Sequence, residues 1–355
     1  MKKIIYIDSL CPKGHKEFNN LTIKAIRNFT NMNLKIVACE YSVSECEIEY
    51  VIPQKYFKKR VGRLSSLIYR IDEIKRWSWI IKIINLESPD LILVSSFDTI
   101  AFMFIMHQIK YPLFIFNHNN IDQLEKSFIK RMIYKNISKH IFLIVFESYI
   151  KNFLIKRYKI SSNNIIVIPH IVSSNQVSPP RVRGKDLITL FAPSSSSDNT
   201  VFNNINKNVD ILGKNNIFLL AKSSLKEFLQ IRSNNLVYKN WFSNEDYKKM
   251  MELSDAIFLP LPKTFNYRVS NVANEAISHG KPLIITRTDF SLFLDEKYPG
   301  LCYIIEENFV IELQRIINWI KNINYSCFSS SREKYLTNHT AKSFAAEFVE
   351  KFLNK

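Results

Sequence analysis

Short runs of β-branched and aromatic residues alternate with longer stretches of helical period along most of the chain. In the first half the runs 3–7, 34–38, 91–94, 113–116, 141–146 and 165–168 predict strands. Between them 20–29, 62–86, 99–108, 122–136 and 148–158 predict helices. The strands are apolar nearly throughout instead of alternating, which marks a parallel sheet covered on both faces. The stretch 174–184, Ser174-Asn175-Gln176-Val177-Ser178-Pro179-Pro180-Arg181-Val182-Arg183-Gly184, has no period and reads as a linker. Strands then restart at 187–191, 217–221, 236–238, 256–259, 283–286 and 303–305, separated by helices at 201–212, 225–231, 244–253, 271–279 and 290–295. Helices at 308–323 and 331–353 close the chain. The expected layout is an α/β fold with two doubly wound, Rossmann-like domains in tandem: 1–173, a linker at 174–184, 185–330, and a C-terminal helix over 331–355 able to cross back to the first domain. Such sheets place ligands at the carboxyl ends of their strands, on the cleft that the domains face.

Length supports two domains, since 355 residues exceed one ordinary core. Composition narrows the class. The five cysteines are widely spaced, with no C-x-x-C pair, which argues against a disulfide scaffold or zinc knuckle and for a reducing cytosol. The start, Met1-Lys2-Lys3-Ile4-Ile5-Tyr6-Ile7-Asp8, meets an acid too early for a secretion signal and reads as a first strand. No apolar run is long enough to span a bilayer. The net charge is +17, and residues 1–173 carry +12 of it. That field attracts polyanions: nucleic acid, an anionic leaflet or a phosphorylated substrate.

The densest chemical signal lies at 270–286, Ser270-Asn271-Val272-Ala273-Asn274-Glu275-Ala276-Ile277-Ser278-His279-Gly280-Lys281-Pro282-Leu283-Ile284-Ile285-Thr286. Ser270 or Asn271 caps a helix, Gly280 ends it, and Pro282 prevents continuation into the strand that follows. Glu275 sits one turn in, near the positive helix end. This string resembles the E-A-x-x-x-G-x-P segment of GT-B glycosyltransferases, especially the retaining family 4. The resemblance extends to the tandem layout and so covers essentially the whole chain. It implies that Glu275 holds the ribose of a sugar nucleotide while helix amides meet the pyrophosphate. The same comparison places Tyr267 where that family carries an additional glutamate, and sets Arg268, Ser270 and Asn271 around the diphosphate. Arginine and free amides make a good anion cradle. The loop Ser194-Ser195-Ser196-Ser197 replaces the family's Arg- and Lys-bearing phosphate loop, with Ser195 as a neutral donor or else part of a plain turn. Lys222, ending the next strand, is either the compensating cation or an ordinary solvated lysine.

Two histidines complete the expectation. Gly14-His15, after the first strand, is similar to the acceptor loop of several GT-B enzymes, where imidazole serves as a base. His118, in Asn117-His118-Asn119-Asn120, resembles the histidine that contacts the transferred sugar in family 4. Each could equally be a loop residue without a chemical role. The helix 62–86 carries an apolar stripe, Leu64, Leu67, Ile68, Ile71, Ile74, Trp77 or Ser78, Ile81 and Ile84, and a basic rim of Lys58, Lys59, Arg60, Arg63, Arg70, Lys75, Arg76 and Lys82. It suits an anionic membrane interface or a half-buried domain helix. There is no G-x-S-x-G elbow, Walker loop, G-x-G-x-x-G or D-x-D motif.

The resulting expectation is a metal-independent hexosyltransferase without a cofactor, retaining, or inverting if His15 is a true base. It would move sugar from a nucleoside-diphosphate donor to a lipid-linked saccharide in bacterial surface polysaccharide assembly. It would be cytoplasmic, peripheral at the inner face of the membrane, with no nucleic-acid partner. The alternatives are a GT-B sugar-nucleotide 2-epimerase and, from another class, a basic nucleic-acid-binding protein.

Overall fold

The computed structural model describes residues 1–10, 16–57, 65–118, 120–173 and 187–353. Thirteen strands form two sheets. The first contains β1 (Lys3–Asp8), β2 (Asn33–Ala38), β3 (Tyr50–Val51), β4 (Leu91–Ser96), β5 (Leu113–Phe116), β6 (Phe142–Val145) and β7 (Ile165–Val167), in spatial order β3-β2-β1-β4-β5-β6-β7. The second contains β8 (Ile188–Ala192), β9 (Ile217–Lys222), β10 (Leu236–Lys239), β11 (Ala256–Leu259), β12 (Leu283–Thr286) and β13 (Cys302–Ile305), in order β10-β9-β8-β11-β12-β13. Every pairing is parallel. The order reverses beside β1 in one sheet and beside β8 in the other. Those switch points are where doubly wound sheets bind ligands.

The sheets are sandwiched by helices, and β1, β4, β5, β11 and β12 are buried almost from end to end. That burial explains their unbroken apolar runs. Contacts divide the chain into two compact units, Met1–Ile171 with His339–Lys355, and Val172–Asn338. The expected linker at 174–184 lies outside the described residues.

The chain rejoins the first unit through the helix Ala341–Leu353. Phe344, Phe348 and Phe352 stack along that helix, and Phe352 reaches Phe114 of β5 at 4.1 Å between ring centroids. Lys351 donates to the Val167 carbonyl at 2.7 Å, and His339 Nε2 meets Glu147 Oε1 at 3.0 Å with both side chains buried. The single helix expected from 331 is in fact two, Tyr325–Asn338 and Ala341–Leu353. Thr340 separates them because its hydroxyl accepts from the Ser343 amide and so begins a new helix. The helix expected over 122–136 is likewise two, Asn120–Lys126 and Phe128–Ile137, with Ser127 capping the second. β3 was not legible, being two residues long at a sheet edge.

The helix Ser65–Glu87 departs most from its sequence pattern. Leu67 and Ile71, placed in the apolar stripe, are 52% and 43% exposed. Trp77, Ile81 and Ile84 of that stripe are buried as expected, but the buried face also carries Asp72, Glu73, Arg76 and Ile80. Arg76, expected on the basic rim, is 1% exposed. Its guanidinium pairs with Glu73, donates to the Tyr56 carbonyl at 2.7 Å and lies over the Phe57 ring at 4.7 Å. Glu73 also accepts from Ser9 at 2.7 Å and from the Trp77 indole at 3.1 Å. A sequence apolar on most sides of its helix leaves the buried face to be chosen by polar partners elsewhere in the fold. Lys58, Lys59, Arg60, Arg63 and Leu64 lie outside the described residues. Among the described residues no helix is long and apolar enough to cross a membrane.

Candidate functional site

In the second unit the loops after β8 and β11 meet at the switch point. The Asp198 amide donates to the Pro260 carbonyl at 2.6 Å, joining the two loops. Thr286, ending β12, donates its hydroxyl to the Leu261 carbonyl at 2.7 Å. The Asp289 amide donates to Asn266 Oδ1 at 3.0 Å. Lys263–Asn266 forms a turn of 3-10 helix that leads into the helix Asn271–Ser278.

That helix is held at both ends. Ser270 Oγ accepts from the Ala273 amide at 3.2 Å, which caps the start. At the other end the Lys281 amide donates to the Ala276 carbonyl and the Gly280 amide to the Ile277 carbonyl, a Schellman closure with Gly280 at φ 66°. Arg332 donates to the Ile277 carbonyl at 2.8 Å and to the Ser278 carbonyl at 2.5 Å, placing a cation at the negative end of the dipole. Burial lowers the pKa of that guanidinium from its ordinary value. Tyr335 donates to Asn274 Oδ1 at 2.7 Å in the interior. The amide tip is therefore fixed before any ligand arrives.

The predicted donor residues fall on this frame in distinct ways. Glu275 is half-buried in the second turn of the helix and accepts the Tyr247 hydroxyl at 2.7 Å through Oε2. Tyr247 belongs to the helix Asn244–Leu253, and its ring packs edge-on against Phe191 near the carboxyl end of β8, 5.7 Å between centroids. The carboxylate is thus tied, through Tyr247, to the carboxyl end of β8. Asn271 is exposed at the first helical position. The Arg268 guanidinium lies over the Phe265 ring at 5.2 Å, next to the helix start. Ser270 is buried and its hydroxyl oxygen accepts as the cap, so it shapes the tip. Tyr267 is buried at the end of the 3-10 turn and supports the loop.

Ser195 is exposed at the tip of a turn built by its neighbours. Buried Ser194 accepts the Ser196 amide at 3.1 Å, and Ser197 donates to the Ser194 carbonyl at 2.9 Å. Lys222 ends β9, the strand next to β8, in register with Lys239 of β10. It stands one strand over from the serine turn, and no hydrogen bond between the two is seen. The arrangement offers amides and a guanidinium to an anion and a carboxylate to paired hydroxyls. Among the described residues no group of three His, Cys, Asp or Glu side chains is placed to hold a metal.

The first unit gathers a separate aromatic cluster at the carboxyl edge of its sheet. His118, two residues beyond β5, packs edge-on against Phe18 at 4.7 Å and lies tilted against Phe146 at 5.0 Å. Its neighbour Asn117 is buried and donates to the Tyr134 hydroxyl, so this asparagine serves the interior. Burial raises the Tyr134 pKa above its ordinary value, and the Asn117 contact opposes that shift. His170, not anticipated from sequence, joins the same cluster at 5.2 Å from Phe18 and 4.8 Å from Phe146. Its Nδ1 donates to the Ile171 carbonyl at 2.8 Å. A polar residue straight after an apolar strand and a proline was the available signal. His15 lies outside the described residues.

No family model and no curated protein matches the sequence. Solved structures do match along its whole length. A lipopolysaccharide outer core galactosyltransferase, WaaB, in its apo form is 16% identical with TM-score 0.63, over 99% of each chain. Sucrose-phosphate synthase from Thermosynechococcus elongatus is 12% identical with TM-score 0.70, over 100% of this chain and 99% of its own. Anabaena Alr3699/HepE, solved in complex with UDP-glucose, is 13% identical with TM-score 0.66 over 100% of both. The chain has the GT-B fold of these glycosyltransferases.

Proposed function

We propose that this protein is a glycosyltransferase that moves a hexose-type sugar from a nucleoside-diphosphate donor to a lipid-linked saccharide. The single observation that carries the reading is the clamped helix Asn271–Ser278, whose capped tip stands at the switch point with Glu275 held by Tyr247. Full-length likeness to solved glycosyltransferases supports it. In this reading the second unit binds the donor. The tip amides and Arg268 face the diphosphate and offset the charge that builds as it leaves. Glu275 accepts from the ribose hydroxyls, and Lys222 and Ser195 belong to the outer margin of the same site.

The first unit binds the acceptor, with His118 and His15 assigned to the transferred sugar. A rigid amide tip needs no metal to hold pyrophosphate, so the donor site works without one, and retention is the assigned outcome. Its place of work is the anionic cytoplasmic face of a membrane, in assembly of a bacterial surface polysaccharide. A thermal-shift panel tests the core of the proposal. Stabilisation by UDP, GDP or TDP and none by oligonucleotides is expected; stabilisation by oligonucleotides alone would overturn it in favour of a nucleic-acid binder.

A further inference from the structure

The helix Phe128–Ile137 presents large apolar side chains to solvent. Phe128, Ile129 and Met132 are 69%, 66% and 56% exposed, while Tyr134 and Ile137 on the opposite side are buried. The adjoining helix Thr99–Ile105, which packs against it, adds Phe104 at 60% exposure. The position is held firmly. Ser127 caps the helix through the Lys130 amide, and the Arg131 guanidinium donates twice to the Leu124 carbonyl at 3.2 and 3.1 Å. The exposed apolar tip is therefore a fixed feature of the fold, not a frayed end.

Its charge is one-sided. From 126 to 139 the sequence holds Lys126, Lys130, Arg131, Lys135 and Lys139 and no acid, and Lys126, Lys135 and Lys139 are exposed. The acid just before this run, Glu125, accepts the Tyr158 hydroxyl and pairs with Arg157, and these contacts hold its carboxyl below the usual range. Apolar side chains ringed by cations match a surface that is anionic outside and hydrocarbon beneath.

We propose that Phe128, Ile129 and Met132, flanked by Lys126 and Lys135, form the element that docks the protein on an anionic lipid bilayer. This rests on the reading of the acceptor as lipid-linked and puts the contact on this helix and not on Ser65–Glu87, for which the sequence pattern left a membrane interface and a half-buried domain helix both open. The three apolar groups enter the interface while the lysines meet lipid phosphates. Rising salt weakens the second contribution and leaves the first.

The test is sedimentation of the purified full chain with vesicles of phosphatidylcholine alone or mixed with phosphatidylglycerol. Wild type is expected to sediment with the mixed vesicles and not with the neutral ones. The combined Phe128→Ser, Ile129→Ser and Met132→Ser variant is expected to lose at least ~10-fold in partitioning, as is Lys126→Glu with Lys135→Glu. The lysine variant touches only exposed positions, so it carries the test should the apolar variant fold poorly. Failure of wild type to bind mixed vesicles, or equal binding by both variants, overturns the proposal. So does light scattering that shows a dimer dissolved by the apolar substitutions without vesicle binding, since the face would then belong to a second copy. The nucleoside-diphosphate thermal shift is measured in parallel on every variant. Retention of that shift with loss of vesicle binding by wild type removes the docking surface alone, whereas its loss in wild type removes the donor reading alone.

Discussion

Replacing Glu275 by Gln tests the donor site with little change of shape. The amide oxygen can still accept the Tyr247 hydroxyl, now 2.7 Å from Oε2, so the helix and its neighbours stay in place. What disappears is the negative charge and one acceptor oxygen. A hydrogen bond to a charged group contributes about 1.5–3 kcal/mol, and a carboxylate facing two ribose hydroxyls loses about one such bond on conversion to the amide. At about 1.4 kcal/mol per tenfold, the dissociation constant for the nucleoside diphosphate should rise about 10- to 150-fold. Titration calorimetry with whichever of UDP, GDP or TDP stabilises wild type measures this directly. Circular dichroism melting should place the variant close to wild type. Tyr247→Phe is the companion: it keeps the charge and removes only the positioning hydroxyl, so its loss of affinity should be smaller, under about tenfold. An affinity of Glu275→Gln within about threefold of wild type, with a normal melt, would refute the assignment of Glu275 to the donor.

Arg76→Met should destabilise the first unit by about 3–5 kcal/mol, read as a lower urea midpoint, because Glu73 would stay buried without its cation. Adding Glu73→Leu should recover much of that loss. Stability should fall as pH drops from about 4.5 toward 2, because Lys35, Tyr50 and Lys3 hold the folded Glu87 carboxyl at about 2. A depressed folded pKa gives stability that is present above the unfolded value and lost on acidification, and Glu87→Gln should flatten that part of the melting profile. Gly280→Ala should cost about 1–2 kcal/mol by thermal melting, since φ is 66° there and the strain comes from the backbone, the added methyl meeting only Arg332 Nε at an ordinary 3.7 Å.

Period and composition alone determined the doubly wound α/β character, the two tandem units and the capped helix that carries Glu275. A strand buried on both faces must be apolar throughout, and a helix tip must be capped and stopped by residues of narrow chemical type, so both leave local marks. Only the tertiary structure decided which side chains the helix caps use up. The sequence left Ser270 and Asn271 open as the cap, and the fold gives that place to Ser270, which accepts the Ala273 amide; Ser194, not Ser195, anchors the serine turn. Tyr247 and His170 enter through contacts across long sequence separations that no local pattern records. The face of Ser65–Glu87 is the plainest case. Periodicity turned Trp77, Ile81 and Ile84 inward correctly but Leu67 and Ile71 with them; apolar residues lie on most of its sides, and the buried face is completed by a Glu73–Arg76 pair whose partners come from Ser9 and Tyr56, outside the helix. Burial of charge is settled by where its hydrogen-bond partners converge, and that convergence is a property of the folded chain.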